Sequence, residues 1–194
     1  MAEDIRFPQL VALACHDLRN PLATVYGFAR TLVRMELDER STRYVAMIDA
    51  ASHELGELLD ELAIVARIEA GRFQPEPAEI DSLELARAAA TELSEERLSV
   101  TGEGATVRVL PGETSRALAR LAKAAARHGG HDEVALLVRG AELELSPVSR
   151  SAAPVVLGQE LRELSAAAAV ALIEALGGSL RLDGEIVRIS LPPP

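Results

Sequence analysis

The stretch that decides the fold is Cys15-His16-Asp17-Leu18-Arg19-Asn20-Pro21-Leu22, near the start of the sequence. It lies within a longer run in which apolar or small residues recur every three or four positions. These residues are Val11, Ala14, Leu18, Leu22, Val25, Ala29 and Leu32. The spacing places them on one face of a helix. His16 falls off that face, so we expect its ring to point towards solvent or a partner.

Two long helices are predicted in the first 71 residues. The first runs from about Phe7 to Met35, and Leu37–Ser41 connects it to the second, with Asp38 or Ser41 as the N-cap. The second helix ends near Gly71, and its apolar residues alternate gaps of four and three. They are Tyr44, Ile48, Ala51, Leu55, Leu58, Leu62 and Val65. One antiparallel hairpin cannot cover both stripes, so we predict a homodimer in which two hairpins form a four-helix bundle.

Composition narrows the class of protein. The chain has 194 residues, of which 48% are hydrophobic and only 3% aromatic, and its formal net charge is −10. An acidic chain of this kind argues against nucleic-acid binding, which needs a basic face. Cys15 is the one cysteine, so no disulfide forms within the chain, and no second cysteine or spaced histidine pair supports a metal site there. Without a signal-peptide pattern or an apolar run of membrane length, we expect a cytoplasmic protein that does not enter a membrane.

The second half of the sequence has a different pattern. Residues 72–79 contain Pro75 and Pro77 and are predicted to be a linker, and residues 80–194 form a second domain. Helices are predicted over Ile80–Leu93, Glu113–Arg127 and Gln159–Leu176. Strands are predicted within Leu98–Leu110 and over Glu133–Arg139, Ala141–Ser146, Ser179–Leu182 and Ile186–Leu191, with a loop at Pro147–Gly158. This order predicts an α/β two-layer sandwich and, for the whole chain, an α+β fold.

The run from His16 to Leu22 resembles the H-box of two-component sensor histidine kinases, His-Asp/Glu-x-Arg-Asn/Thr-Pro-Leu, at every motif position. The resemblance implies that His16 is the phosphoacceptor and that Asp17 accepts a hydrogen bond from its ring. Arg19 then either supports the phosphoryl group or pairs within the bundle. Asn20 is similar in position to the residue that orients water for dephosphorylation of a receiver domain. A receiver is expected to dock below His16, near Leu22, Tyr26 and Leu59.

The second half resembles the ATP-binding GHKL domain of the same kinases. Ser115–Gly130 is similar to the asparagine-bearing helix of that domain. Ala175-Leu176-Gly177-Gly178-Ser179-Leu180 resembles the end of its later helix, before the final hairpin. The resemblance therefore covers nearly the whole chain, through specific motifs in the first half and mainly through element order in the second.

Three features of the family's nucleotide site are missing. Ala124 stands where the family has its metal-holding asparagine, and alanine has no oxygen for Mg²⁺. The Asp-x-Gly-x-Gly motif that reads adenine should fall near Leu145–Arg150, which contains neither an acid nor a glycine. In place of the phosphate-binding glycine loop the chain has Glu163–Ala168, where Glu163 would repel phosphate. We therefore predict that this chain binds no cofactor and does not phosphorylate itself from ATP.

These features favour a histidine phosphotransferase, which relays phosphate between receiver aspartates on His16 while the receiver supplies Mg²⁺. The expected partners are a second copy of the chain, response-regulator receiver domains, and a hybrid histidine kinase that carries a receiver. Two alternatives remain open. One is a catalytically silent pseudokinase that acts as a scaffold or inhibitor for a receiver or kinase. The other is an active sensor kinase with an atypical nucleotide site.

Overall fold

A computed structural model describes residues 6–35, 37–93 and 97–194 of the chain. The chain divides into two compact units, Met1–Phe73 and Gln74–Pro194. The first unit is a helical hairpin of α1 (Arg6–Val33) and α2 (Glu39–Glu69). Within the described ranges, no helix is both long enough and apolar enough to cross a membrane.

The ends of α2 follow from local chemistry. Asp38 is the N-cap, and its carboxylate accepts hydrogen bonds from the backbone N–H groups of Arg40 and Ser41. Gly71 follows the last turn with φ = +63°, a conformation that glycine adopts without steric cost. Helix α1 continues through Pro21, so the stretch around His16 lies within one assigned helix.

The second unit contains four helices and seven strands among its described residues. In chain order they are β1 (Ala78–Asp81), α3 (Ser82–Leu93), β2 (Leu98–Gly104), β3 (Thr106–Val109), α4 (Pro111–Gly129), β4 (Val134–Gly140), β5 (Glu142–Ser146), α5 (Ala153–Val156), α6 (Leu164–Ala175), β6 (Ser179–Asp183) and β7 (Ile186–Ser190).

Five of these strands form one sheet in the order β2-β4-β5-β7-β6. Strands β2 and β4 are parallel, and the other pairs are antiparallel. A second, two-stranded sheet pairs β1 with β3 antiparallel. Helices α3, α4 and α6 pack on one another and on the five-stranded sheet. The alternation in β4, where Val134, Leu136 and Val138 are buried, shows which face of the sheet meets the helices.

The sequence predicted the fold class and most of these elements, and the structure differs in three places. Ala78–Asp81 is a strand, although a linker to Glu79 and a helix from Ile80 were predicted. The predicted loop after Pro147 contains the short helix α5. Helix α6 begins at Leu164 rather than Gln159, because Glu163 adopts an extended backbone conformation at the N-cap.

Gly102 provides a test of the parallel β2–β4 pairing. Its φ is +111°, and a Cβ at this position would collide with the carbonyl oxygen of its neighbour Val138. We expect Gly102→Ala to lower the free energy of unfolding by roughly 2–3 kcal/mol, measured by amide hydrogen exchange in β4. Gly112→Ala is the matched control, since Gly112 lies in α4 with open space around a new Cβ. An equal loss in both variants would contradict the account of Gly102.

Candidate functional site

His16 lies in the middle of α1 and is exposed, as its position off the apolar stripe predicts. The adjacent Cys15 is only 1% exposed. Burial raises the pKa of the Cys15 thiol above its ordinary value, so this side chain is kept neutral as a packing group. Asp17 lies in the same helix, but its side chain is outside the described part of the chain.

Arg19 forms an ion pair across the hairpin. Its Nη2 atom donates to Oδ1 of Asp60 on α2 at 2.6 Å. This arrangement matches one of the two roles that the sequence left open for Arg19, pairing within the hairpin. Asn20 is exposed, one helical turn after His16, and its backbone carbonyl accepts a hydrogen bond from Thr24 Oγ1 at 3.2 Å.

An open groove of about 300 Å³ runs between α1 and α2 beside this pair. Two of the three predicted docking residues, Leu22 and Tyr26, line it. The third, Leu59, is half-buried on α2 and is not among the lining residues. Sequence reasoning missed the contributions of α2 to this groove, which are Ser52, His53, Gly56, Glu57 and Asp60.

His53 is exposed and lines the groove. Its Nδ1 atom lies 3.7 Å from Glu57 Oε1, one turn further along α2. The hairpin thus displays an exposed imidazole at His16 and, below it, a groove with an apolar wall from α1 and a polar wall from α2.

In the second unit, the position that corresponds to the family's asparagine is fully buried. Ala124 is fully buried in α4, and its neighbours Ala125 and Leu121 are equally buried. A methyl group packed in this way offers Mg²⁺ no oxygen ligand. Among the described residues, no group of three histidine, cysteine, aspartate or glutamate side chains is arranged to hold a metal ion.

Glu163 occupies the place that the resemblance assigns to a phosphate-binding loop. It is the N-cap residue of α6, and its Oε2 atom lies 2.8 Å from Nε2 of His128 near the end of α4. The two side chains are 13% and 22% exposed, so water screens this contact only in part. A half-buried carboxylate therefore stands where anionic phosphates would have to approach.

Two residues of Leu145–Arg150, the segment aligned with the adenine-reading motif, are apolar and contribute to the core. The segment contains neither an acid nor a glycine, and its Leu145 and Val148 are each no more than 1% exposed. Such side chains pack but supply no hydrogen-bond partner for the edge of a base. The residues present therefore do not fit a magnesium nucleotide at any of the three places where the family's motifs would hold it.

The first unit matches a known family of domains. Residues 9–71 match the model described as His Kinase A (phospho-acceptor) domain. Curated relatives align over part of the chain. Histidine kinase 3 of Arabidopsis thaliana is 31% identical over 80 residues, which is 41% of this chain and 8% of that protein. The circadian input-output histidine kinase CikA of Synechococcus elongatus is 34% identical over 67 residues, which is 33% of this chain and 9% of that protein. The aligned region thus spans under a tenth of each relative.

Solved structures resemble the chain over nearly its whole length. The crystal structure of full-length ShkA in complex with AMPPNP has a TM-score of 0.67 at 22% identity, covering 95% of this chain and 46% of that one. The Acinetobacter baumannii histidine kinase AdeS has a TM-score of 0.58 at 15% identity, covering 91% of this chain and 97% of that one. At these identities, the likeness establishes the fold of both units.

The contact between His128 and Glu163 can be tested by stability. Removing the carboxylate leaves a half-buried imidazole without this partner, so we expect Glu163→Ala to destabilise the docking of α6 by roughly 1–2 kcal/mol. Amide hydrogen exchange in α6 measures this effect. The control is Glu160→Ala, whose pair with Arg162 is local and solvent-exposed. Its loss should stay within about 0.5 kcal/mol, and equal losses would show that Glu163 stabilises nothing beyond a surface pair.

Proposed function

Because this chain is a histidine kinase-like protein, with a HisKA hairpin and a GHKL-like α/β unit, we propose that it is a histidine phosphotransferase. In this role His16 carries a phosphoryl group between receiver-domain aspartates, and ATP takes no part. The observation that supports the proposal is the combination of an exposed His16 with a second unit that has the buried Ala124 and the paired Glu163 where the family's motifs would hold magnesium and phosphate.

The proposed chemistry begins with a neutral His16. The lone pair of one ring nitrogen attacks the phosphorus of a receiver aspartyl-phosphate in line, and an N–P bond forms. The P–O bond to the receiver carboxylate breaks, and its electron pair stays on that carboxylate. The other ring nitrogen keeps its hydrogen, which Asp17 accepts as a hydrogen bond, so the positive charge that develops on the ring is stabilised. The reverse sequence delivers the phosphoryl group to the next receiver.

The partner contributes what this chain lacks. A receiver aspartyl-phosphate site contains its own Mg²⁺, so the transfer needs no metal from the hairpin. We propose that the receiver docks in the groove between α1 and α2, against Leu22 and Tyr26, with Leu59 at its margin. Asn20 is exposed one turn from His16, and we propose that it orients a water molecule on a docked receiver and so adds a phosphatase activity. A hybrid kinase with a receiver domain would be one source of phosphate.

Exposed apolar side chains support a homodimer. Both helices of the hairpin carry large apolar residues that are 38% to 68% exposed, namely Leu18, Val25, Phe28, Leu32, Tyr44, Met47, Ile48 and Leu55. Burying one such side chain completely contributes about 1.5–3 kcal/mol. A second hairpin covers these faces and completes a four-helix bundle.

The dimer prediction has a direct test. We expect the double variant Ile48→Glu with Leu55→Glu to convert the chain from a dimer to a monomer in analytical ultracentrifugation. Each copy would then have to bury two unpaired carboxylates in the dimer interface. Leu161→Glu serves as the control, since Leu161 is 83% exposed in the second unit and should leave the dimer intact. A wild-type chain that sediments as a monomer would contradict the proposal.

A labelling experiment separates the relay from its two rivals. We expect a receiver carrying a labelled aspartyl-phosphate to label the full chain, and labelled ATP with Mg²⁺ to leave it unlabelled. His16→Ala should abolish labelling by the receiver. His53→Ala, which removes the other imidazole of the hairpin, should still accept label.

Each other outcome identifies a rival. Label acquired from ATP without a receiver would support an active sensor kinase. A panel of receivers that bind the chain without labelling it would favour the scaffold. Label that persists in His16→Ala would show that another residue is the acceptor.

A further inference from the structure

The ion pair between Arg19 and Asp60 lies close to His16 in the hairpin. The inference drawn from it rests on the proposed function of His16 as the phosphoacceptor. The pair joins residues 41 positions apart in sequence, at 2.6 Å, and links α1 to α2 directly below His16. The two side chains are 47% and 67% exposed, so they exchange partners without opening the core of the hairpin.

Arg19 is a close neighbour of His16. The two residues are three positions apart in one helix, where Cβ atoms are about 5–6 Å apart and lie on the same face. Helical side chains lean towards the N-terminus, so the side chain of Arg19 leans towards the turn that carries His16. Burial dominates the raised pKa of Cys15, and smaller, opposed contributions come from Arg19 and Asp60. Both charges are therefore felt at the residue next to His16.

A phosphoryl group on His16 would compete for the same guanidinium. It brings about two negative charges and three acceptor oxygens, whereas the carboxylate of Asp60 brings one charge and two oxygens. The planar fork of arginine matches either group in a bidentate manner. Arg19 can thus leave Asp60 when His16 is phosphorylated and return when the phosphoryl group departs.

We propose that Asp60 is a positioning residue that holds Arg19 away from unmodified His16, and that Arg19 exchanges Asp60 for the phosphoryl group when His16 is phosphorylated. Only ionic hydrogen bonds are exchanged, and no covalent bond changes in this step. Asp60 then sets the phosphoryl-transfer potential of His16. Its competition for Arg19 makes the phosphohistidine less stable, and so a better donor to a receiver.

The test loads the full chain with phosphoramidate, a small donor that phosphorylates exposed histidines without any receiver. The ³¹P resonance that is lost in His16→Ala reports phosphohistidine 16 among the four histidines of the chain. Its chemical shift and hydrolysis half-life are compared in wild type, Asp60→Asn, Asp60→Glu, Arg19→Gln and the double variant Arg19→Gln with Asp60→Asn.

We expect Asp60→Asn to shift the resonance and to lengthen its half-life by about two- to fivefold, the range of an exposed ion pair. Asp60→Glu should restore the wild-type values. In the Arg19→Gln background, Asp60→Asn should have no further effect, because the effect of Asp60 passes through Arg19. Glu54→Gln is the matched control, since it removes an exposed negative charge from α2 outside the groove and leaves the partner of Arg19 in place.

Two results would contradict the proposal that Arg19 exchanges Asp60 for the phosphoryl group. One is an unchanged half-life and chemical shift in Asp60→Asn. The other is an equal effect of Asp60→Asn with and without Arg19, which would show direct repulsion between Asp60 and the phosphoryl group. Neither result depends on a receiver, so both are distinct from failure of the relay itself, which appears as a receiver that cannot label His16.

Discussion

The contact between His128 and Glu163 is the constraint on which the second unit depends. It joins the end of α4 to the start of α6 at 2.8 Å, at the place where the kinase fold that this unit resembles has its phosphate-binding loop. A phosphate there would have to displace a carboxylate that is largely buried and already paired, and then replace its interaction with His128. In the segment aligned with the adenine-reading motif, Leu145 and Val148 are buried in the core. The fold thus resembles that of the solved kinases, while Ala124 and Glu163 are unsuited to a magnesium nucleotide.

In the hairpin, by contrast, the candidate site residues lie on the surface. His16 and Asn20 are exposed on α1, and the groove below them combines apolar residues of α1 with polar residues of α2. Large apolar side chains remain uncovered on both helices, which makes the hairpin an incomplete structure by itself. This uncovered apolar surface is the basis of the proposed dimer.

Much of the fold could be predicted from the sequence, because long periodic runs and glycine stops are local signals. The hairpin, the cap at Asp38 and the end at Gly71 all follow from such signals. The errors have physical causes. Ala78–Asp81 is too short to show strand periodicity, and its identity as a strand depends on pairing with β3. Residues 159–163 contain good helix formers, but tertiary contacts of Glu163 hold the backbone extended and delay the start of α6.

The candidate site was predictable to the extent that it is a linear motif. His16, Arg19 and Asn20 were found because they lie within eight consecutive residues. Asp60 was not, since its pairing with Arg19 spans 41 positions and no pattern along the chain marks it. Glu163 was predicted to repel phosphate, and its contact with His128 could be found only in three dimensions.

Calorimetric titration of the full chain with ATP in the presence of Mg²⁺ tests the central claim most directly. The account predicts no saturable heat of binding, because Ala124 offers Mg²⁺ no oxygen and the carboxylate of Glu163 would repel phosphate. A one-site, magnesium-dependent isotherm would contradict it.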